Sequence, residues 1–363
     1  MMRILDRLTQ PLLFAFDPER AHGLSIAALK TGLPLCSGGV KGAKLAVSVA
    51  GLNFPNPLGM AAGYDKNAEV PDALLGLGFG FAECGTITPK PQPGNPKPRV
   101  FRLISDQAVI NRLGFNNDGH AQALARLSAR SGKDGIVGVN IGANKDSPDR
   151  IADYEEGVRT FAAVASYLTV NISSPNTVGL RALQDRDSLA ELLQRVMHAR
   201  DEKAGQIGRK VPVFLKIAPD LSEEGLADIA EEVLEKKVDG LIVSNTTLSR
   251  EGLRDPAARE TGGLSGEPLF DRSTIVLAKM RRLVGPSLPI VGVGGVHSAE
   301  TALEKIRAGA DLVQLYTAMI FAGPGLPARI VRGLAAYADA NGLNSIREIR
   351  DSNLKAWADR PLG

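Results

Sequence analysis

Amide side chains recur where short apolar runs of this sequence end. Five asparagines stand at or shortly after such runs: Asn111, Asn140, Asn171, Asn176 and Asn245. Because an amide offers two N–H donors and two acceptor lone pairs, several together suit a flat, neutral ring with its own N–H and C=O groups. A site for sugar phosphates would show more charge. A single asparagine is usually a turn residue, but this repetition favours a binding site.

Two lysines, Lys66 and Lys216, also stand at or shortly after the ends of such apolar runs. No pair of carboxylates stands at these positions. Hydrolysis by a paired acid and base is therefore not indicated. The four histidines show no metal-ligand spacing, so we expect no metal. A lysine in this setting can form a Schiff base, or it can stabilise a carboxylate or a reduced cofactor. The residues alone leave both roles open.

The segment Ser173-Ser174-Pro175-Asn176 places a hydroxyl in a rigid turn with no histidine nearby in the sequence. A serine without a base partner is a poor nucleophile. It can still pass on a proton if the developing charge is stabilised elsewhere, and a plain structural turn is the alternative. Gly292-Val293-Gly294-Gly295 adds a glycine-rich turn that lets backbone approach a ligand closely.

Short β-branched runs that stop at glycine or polar residues predict the elements that position these groups. The eight predicted strands are Pro57–Ala62, Phe81–Thr88, Ile136–Gly142, Tyr167–Ser173, Val211–Pro219, Gly240–Thr246, Leu288–Gly295 and Asp311–Thr317. Helical stretches such as Leu189–Arg200, Glu223–Lys236 and Ala299–Ala308 lie between them. This alternation predicts an α/β fold, the (β/α)8 TIM barrel, whose reactive groups stand at the C-terminal strand ends. A doubly wound sheet is the rival, but its G-x-G-x-x-G turn is missing after the first strand.

Two segments lie outside the barrel pattern. Arg99–Ile104 and Ala108–Asn111 predict a hairpin inserted over the barrel mouth. Asp17 and Pro18 start a helix that ends near Gly32, after an apolar stretch interrupted at Pro11. We expect residues 1–44 to form a two-helix extension and 45–363 the catalytic barrel. The two helices either cap the barrel or dock on a membrane surface.

Charge and composition argue against several classes of protein and site. Glycine accounts for 39 of 363 residues, which indicates many tight turns or close backbone approaches to a ligand. The net charge of +3 is too small for a nucleic-acid binder. The two cysteines, Cys36 and Cys84, show no metal spacing and indicate reduced thiols. No apolar run reaches the ~18 residues of a membrane span.

In order along the chain, these motifs resemble the dihydroorotate dehydrogenases, specifically the membrane-associated, quinone-linked class. The motifs are DPERAH (Asp17–His22), NPLGMAAGYDK (Asn56–Lys66), GTITPKPQPGNPKPR (Gly85–Arg99), NRLGFNN (Asn111–Asn117), NIG (Asn140–Gly142), NISSPNTVGLR (Asn171–Arg181), KIAPDLS (Lys216–Ser222), SNTT (Ser244–Thr247), TGGLSG (Thr261–Gly266) and GVGG (Gly292–Gly295). The resemblance covers nearly the whole chain. It implies one bound FMN and the oxidation of dihydroorotate to orotate in pyrimidine synthesis.

The resemblance also implies roles for individual residues. Ser174 would be the base that removes a ring proton, and Thr177 and Phe115 the route by which that proton leaves. The implied FMN contacts are Ala61, Ala62, Gly63, Tyr64, Asp65, Thr86, Asn140, Asn171, Lys216, Ser244, Gly266, Gly294, Gly295, Tyr316 and Thr317. The implied substrate contacts are Lys66, Asn111, Arg112, Leu113, Gly114, Phe115, Asn171, Asn176, Asn245 and Thr246.

The quinone-linked class is favoured because soluble members use a cysteine base, whereas this turn has Ser174, and because they lack an N-terminal helix pair. In that class the pair lies on the membrane and forms a channel, here lined by His22, Arg102 and Tyr316, for ubiquinone or menaquinone. The chain then resembles bacterial members on the cytoplasmic face of the inner membrane. Three residues depart from the family pattern: Tyr64, Ser244 and Thr317.

Three alternatives stay open on the sequence. One is a soluble flavin dehydrogenase that uses fumarate or NAD. Another is a flavin-free barrel lyase or isomerase acting on a phosphorylated substrate. The last is a noncatalytic scaffold that docks on membranes.

Overall fold

A computed structural model describes residues 14–32, 42–177 and 179–362. The first predicted N-terminal helix and Cys36 lie outside these residues. The strands of the described part are β1 Val47–Val49, β2 Leu52–Phe54, β3 Leu58–Met60, β4 Phe81–Ile87, β5 Val100–Leu103, β6 Ala108–Asn111, β7 Ile136–Ile141, β8 Tyr167–Asn171, β9 Val213–Ile217, β10 Gly240–Val243, β11 Gly263–Gly266, β12 Ile290–Val293 and β13 Leu312–Leu315.

Eight of these strands close into a barrel. Its order is β10-β12-β13-β3-β4-β7-β8-β9, and every neighbouring pair is parallel. Each barrel strand lies within one of the eight predicted runs, so the predicted TIM barrel is confirmed. The register sets Asn171 beside Lys216 and Asn140 beside Gly85, which brings polar groups from distant segments to one rim.

The described residues contain helices that cover the outside of the barrel or lie at its mouth. They are α1 Pro18–Lys30, α2 Pro71–Gly76, α3 Gly119–Ser128, α4 Arg150–Phe161, α5 Arg186–Ile207, α6 Glu223–Glu235, α7 Phe270–Val284, α8 Ala299–Arg307, α9 Ala318–Ala322, α10 Leu326–Ala340 and α11 Leu354–Ala358. The carboxylate of Asp17 accepts the N–H groups of Glu19 and Arg20 at 3.0 Å, as predicted for an N-cap. The predicted helix over 189–200 continues on both sides, because polar residues extend it beyond its apolar face.

A three-stranded sheet stands over the barrel mouth. The predicted hairpin is present as antiparallel β5 and β6, and β11 pairs with β6 on its other side. The sequence did not indicate β11, because Gly263–Gly266 offers one large apolar residue and two glycines. Thr247 bridges to Leu264, which ties this sheet to the loop after β10.

Aromatic rings fill the opposite end of the barrel. The hairpin of β1 and β2, which was not predicted, places Phe54 against Phe81 with ring centroids 5.1 Å apart. Tyr167 and Phe214 stack beside them at 5.2 Å. A side chain at Gly138 would meet the Tyr167 ring at 2.1 Å, so glycine is required there. This packing closes the N-terminal end and leaves the other end for ligands.

Helix α1 lies against the mouth of the barrel. The guanidinium of Arg99 donates to both carboxylate oxygens of Glu19, at 3.0 and 2.7 Å. Arg102 donates to the carbonyl oxygens of Phe14 and Phe16 at 3.1 and 2.9 Å. Within residues 14–32, 42–177 and 179–362, no helix has the length and hydropathy needed to cross a membrane.

Candidate active site

A cavity of about 650 Å³ opens where the C-terminal ends of the barrel strands meet the three-stranded sheet and α1. Most of the predicted site residues line it. They are His22, Ala61, Ala62, Gly63, Tyr64, Lys66, Thr86, Arg102, Asn111, Leu113, Gly114, Phe115, Asn171, Ser174, Asn176, Lys216, Ser244, Asn245, Thr246, Gly266, Gly294, Gly295, Tyr316 and Thr317. Residues separated by up to 295 positions in the sequence therefore share one concave surface.

The floor of the cavity is a chain of hydrogen bonds. The Asn171 amide donates to Thr86 Oγ1 at 2.9 Å, and Thr86 Oγ1 donates to Asn140 Oδ1 at 2.6 Å. The Asn140 amide donates in turn to Glu83 at 2.8 Å. Glu83 is fully buried and also accepts from Tyr167 and Gln314. A buried carboxylate with three donors anchors the amides and fixes how they face the ligand.

The side of the cavity holds a second amide group. The Asn245 amide donates to Ser173 Oγ at 2.8 Å, and Ser173 Oγ donates to Asn171 Oδ1 at 2.8 Å. Across the mouth, the Asn176 amide donates to Asn111 Oδ1 at 3.3 Å. Side chains from the ends of β6, β8 and β10 are therefore held in one polar surface with amide donors and acceptors at the cavity.

Lys216 brings an ammonium into the cavity from the end of β9. In the described part of the chain it has no hydrogen-bond acceptor, although its side chain is 95% buried. Burial lowers the pKa of Lys216, and the negative charge of Glu83 opposes this effect. A buried cation without a partner is costly. Its position therefore fits a ligand that offers a carbonyl oxygen or negative charge.

Lys66 lies nearer to α1. Its ammonium is 3.3 Å from Nε2 of His22. Burial lowers the pKa of Lys66 to about 8, while the charge of Glu19 acts in the opposite direction. Burial, and then the charge of Lys66, lower the pKa of His22 to about 3, so this imidazole is neutral at physiological pH. A Lys66 ammonium that lines the same cavity as several amide side chains suits a ring that carries a carboxylate.

The Ser174 hydroxyl is buried at the cavity wall, and its oxygen accepts the N–H of Asn176 at 3.2 Å. Among the described residues, no histidine or carboxylate forms a hydrogen bond with it. Phe115 stands close to the barrel rim with a left-handed backbone, and its carbonyl accepts from Gln92 and Asn117 at 3.1 and 2.8 Å. The geometry suits a hydroxyl that relays a proton better than one that attacks as a nucleophile.

Glycines shape the part of the cavity between β11, β12 and β13. Gly266, Gly294 and Gly295 have positive φ angles, and a Cβ on Gly295 would meet Cα of Phe270 at 2.5 Å. Thr317 donates to Ser265 Oγ at 2.8 Å on the same wall. Together with the unpartnered ammonium of Lys216, this cradle fits a flavin mononucleotide, a flat ring with a phosphate tail.

Aromatic and apolar residues form the part of the cavity beside α1. The Tyr316 hydroxyl is 3.4 Å from Nδ1 of His22, and the Tyr64 hydroxyl is 3.0 Å from Ser25 Oγ. Tyr64, one of the departures from the family pattern, therefore bonds directly to the N-terminal helix. Leu24, Ala28 and Leu29 add aliphatic surface from α1. This end of the cavity suits an apolar ligand.

Four predicted site residues do not line the cavity with their neighbours: Asp65, Arg112, Asn140 and Thr177. The Asp65 carboxylate instead accepts the N–H groups of Glu69 and Val70, at 2.8 and 2.9 Å. The guanidinium of Arg112 instead donates to the carboxylate of Glu260 at 2.8 Å. Asn140 does not reach the cavity and bonds to Thr86, which does, and Thr177 is buried.

Some lining residues were not predicted. Ser25 and Leu24 of α1, Ser265 of β11 and His297 after β12 belong to this group. Their types gave no signal, since exposed serine and leucine are common, and their position follows from how α1 and the sheet pack. Among the described residues, no group of three or more His, Cys, Asp or Glu side chains could hold a metal ion.

Comparisons with known proteins agree with this geometry. A family model described as dihydroorotate dehydrogenase matches residues 44–337. The chain is 83% identical over 362 residues to a protein of Chelativorans sp. (strain BNC1) named dihydroorotate dehydrogenase (quinone), covering 100% of each chain. A protein of the same name from Mesorhizobium japonicum is 70% identical, covering 99% of this chain and 100% of that one. The crystal structure of DHODH in complex with ferulenol from Eimeria tenella is 40% identical, with a TM-score of 0.87 over 93% of this chain and 96% of that chain.

Proposed function

This chain belongs to the dihydroorotate dehydrogenase family, and from that premise we propose that it oxidises dihydroorotate to orotate, with FMN as the hydride acceptor and a quinone as the terminal electron acceptor. The observation that carries the proposal is the meeting of Lys66, Ser174 and Lys216 in one cavity that is also lined by the amide side chains of Asn111, Asn171, Asn176 and Asn245. The N–H and C=O groups of the dihydroorotate ring would bond to the amides, and the carboxylate of dihydroorotate would bond to Lys66.

The chemistry forms a carbon–carbon double bond in the ring. One ring carbon loses a proton to Ser174 Oγ, and the hydroxyl proton of Ser174 leaves by way of Thr177 and Phe115. The neighbouring carbon loses a hydride. When bound, FMN would supply the acceptor for that hydride and the carrier of the two electrons to the quinone. Lys216 would stabilise the negative charge that develops on the reduced flavin, because a fixed buried cation costs no reorganisation.

The residues that would hold FMN form two groups. Gly266, Gly294, Gly295 and Thr317 would surround the phosphate, because all four line the cavity and the close packing of the three glycines fixes their backbone there. Thr86, Asn171, Lys216 and Ser244 would contact the ring from the strand ends. Asn140 supports this group through Thr86 rather than by reaching the cavity.

We assign residues 1–44 to quinone access and membrane docking and 45–363 to the catalytic barrel. The apolar end of the cavity, beside His22, Arg102 and Tyr316, supports the entry of a lipid-soluble acceptor such as ubiquinone or menaquinone. The excess charge of +3 within residues 1–44 supports contact with anionic lipid. The protein would then lie on the cytoplasmic face of the bacterial inner membrane.

An absorption spectrum tests the proposal directly. The purified protein should carry a flavin spectrum that bleaches when dihydroorotate is added without oxygen and returns when ubiquinone follows. Fumarate and NAD, added in place of quinone, should restore the spectrum far more slowly. A colourless protein, or faster reoxidation by fumarate or NAD, would overturn the proposal.

A further inference from the structure

One guanidinium ties together three loops behind the candidate active site. Arg181 lies in a short 3-10 helix, Leu180–Gln184, that follows the Ser174 turn. Its Nε donates to the carbonyl of Ser173 at 3.1 Å, and its Nη2 donates to the carbonyl of Thr246 at 3.1 Å. Its Nη1 donates to the Asp220 carboxylate at 2.9 Å. These partners follow β8, β10 and β9, three neighbouring strands of the barrel.

Asp220 extends the connection to the β10 loop. Besides Arg181, its carboxylate accepts the Thr247 hydroxyl and, at 3.1 Å, the N–H of Leu248. The loop after β10 is therefore held to Arg181 twice, directly through Thr246 and indirectly through Asp220. This loop also carries Asn245, which lines the cavity and which the proposed function assigns to the substrate.

We propose that Arg181 is a positioning residue that fixes the Ser174 turn relative to the substrate-contacting loop after β10. The inference rests on the proposed function, because it concerns the base of that reaction. Arg181 does not line the cavity and so does not touch the ligand. It bonds the carbonyl of the residue directly before Ser174, so a shift of the guanidinium would move the Ser174 backbone.

The chemistry of the side chain explains why arginine stands here. Three acceptors in different directions need a planar group with donors in fixed geometry, which lysine does not provide. Proton removal depends on the distance between the serine oxygen and the ring carbon, and a misplacement of ~1 Å can cost about 100-fold in rate. The affinity for the ring depends less on this distance, because several amides contribute to binding.

The test compares R181K and R181M with R209K. Arg209 is a matched control, since its guanidinium donates to the carbonyls of Ala162, Ala163 and Ala165 at 2.9, 3.1 and 3.0 Å, outside the site. We expect both Arg181 variants to slow flavin reduction by dihydroorotate about 10- to 100-fold. The dissociation constant of dihydroorotate and the rate of reoxidation by ubiquinone should change less than about threefold, and R209K should match the unaltered protein in all three.

A second measurement does not depend on turnover. Hydrogen exchange of the amides in 173–177 and 245–248 should become faster in R181K and stay unchanged in R209K. If R181M fails to fold, D220N weakens the same connection and should show the same pattern. Unchanged exchange in R181K, unchanged flavin reduction, or equal loss in both half-reactions would overturn the role of Arg181. Failure of dihydroorotate to bleach the unaltered protein would instead overturn the proposed function.

Discussion

The ammonium of Lys66 lies 3.3 Å from Nε2 of His22, so the rim of the barrel and the N-terminal helix share a hydrogen bond inside the cavity. A protonated lysine can only donate, so Nε2 accepts and Nδ1 carries the ring proton, with the Tyr316 hydroxyl 3.4 Å away. Helix α1 is therefore part of the proposed substrate site as well as of the apolar end. Removing the whole extension would disturb both half-reactions, and single substitutions separate them better.

The pH dependence of orotate binding should follow Lys66. Its pKa is lowered to about 8, so the positive charge that attracts the carboxylate is present below pH 8 and is lost above it. We expect the dissociation constant of orotate to rise by up to about tenfold per pH unit above pH 8, until the pKa of the complex is reached. Titration of the flavin spectrum with orotate from pH 6 to 10 measures this.

The K66M variant is the control for that titration. It should bind orotate weakly, with no rise in the dissociation constant around pH 8. His22 should not contribute between pH 5 and 8, because its pKa of about 3 keeps it neutral there. A pH dependence in K66M equal to that of the unaltered protein would contradict the assignment.

Substitution S174A should affect one half-reaction. Without the buried hydroxyl no group at this wall accepts the ring proton, so flavin reduction by dihydroorotate should fall at least about 100-fold. Stopped-flow absorbance measures this rate. Reoxidation of reduced flavin by quinone should be nearly unchanged, because it does not use this proton.

A substitution of the neighbouring Ser173 distinguishes an effect on substrate binding from an effect on proton removal. Ser173 Oγ bonds Asn171 and Asn245, so S173A should mainly weaken substrate binding through those amides. If S174A slowed both half-reactions equally, Ser174 would not be the base.

The barrel was predictable from the sequence because parallel strands are buried on both faces. Their apolar runs, such as that of β8, stop where the strand ends, and the polar residue at that end, here Asn171, lies at the cavity. That logic also predicted which distant residues would meet, including Lys66, Asn171 and Lys216. Strand β11 was not predicted, because its four residues pair through backbone groups and include only one large apolar side chain.

The direction of individual side chains could not be predicted in this way. Arg112 follows a strand next to Asn111, yet it points to Glu260 and stacks over the Phe101 ring at 4.5 Å. Asp65 stands in a motif with Lys66 but caps its own turn. The direction of a side chain depends on its partners, which can lie far away in the sequence. A local sequence pattern holds no information about them.

The glycine cradle makes a prediction about FMN retention. Gly295 has a φ angle of +72°, and an added Cβ would meet Cα of Phe270 at 2.5 Å. Backbone atoms cannot move aside cheaply, so G295A should displace the turn and lower bound FMN to a small fraction of one per chain. The ratio of flavin to protein absorbance after purification measures this.

Gly285 offers a matched control. Its φ angle is +74°, but an added Cβ there would find no atom within 4 Å. With a ψ angle of −177°, G285A carries a backbone cost of its own, roughly 1–3 kcal/mol, without the contact. It should therefore retain FMN while losing some thermal stability. Full FMN content in G295A would show that the cradle does not hold the phosphate.

Membrane docking through α1 predicts an effect of L24D. Leu24 is 43% exposed on this helix, although it also reaches the cavity. Full burial of a leucine contributes ~1.5–3 kcal/mol, and a carboxylate adds repulsion from anionic lipid, so binding to vesicles should fall at least about tenfold. Sedimentation with vesicles of mixed zwitterionic and anionic phospholipid measures the bound fraction.

The matched control for this variant is L234D, since Leu234 is 47% exposed on α6, a helix of the barrel exterior. L234D should bind vesicles like the unaltered protein. Turnover with a long-chain quinone in vesicles should fall in L24D and stay unchanged in L234D, because this quinone reaches the cavity from the membrane. Equal loss of vesicle binding in L24D and L234D would mean that α1 has no special role, and that the apolar end of the cavity opens to solvent rather than to lipid.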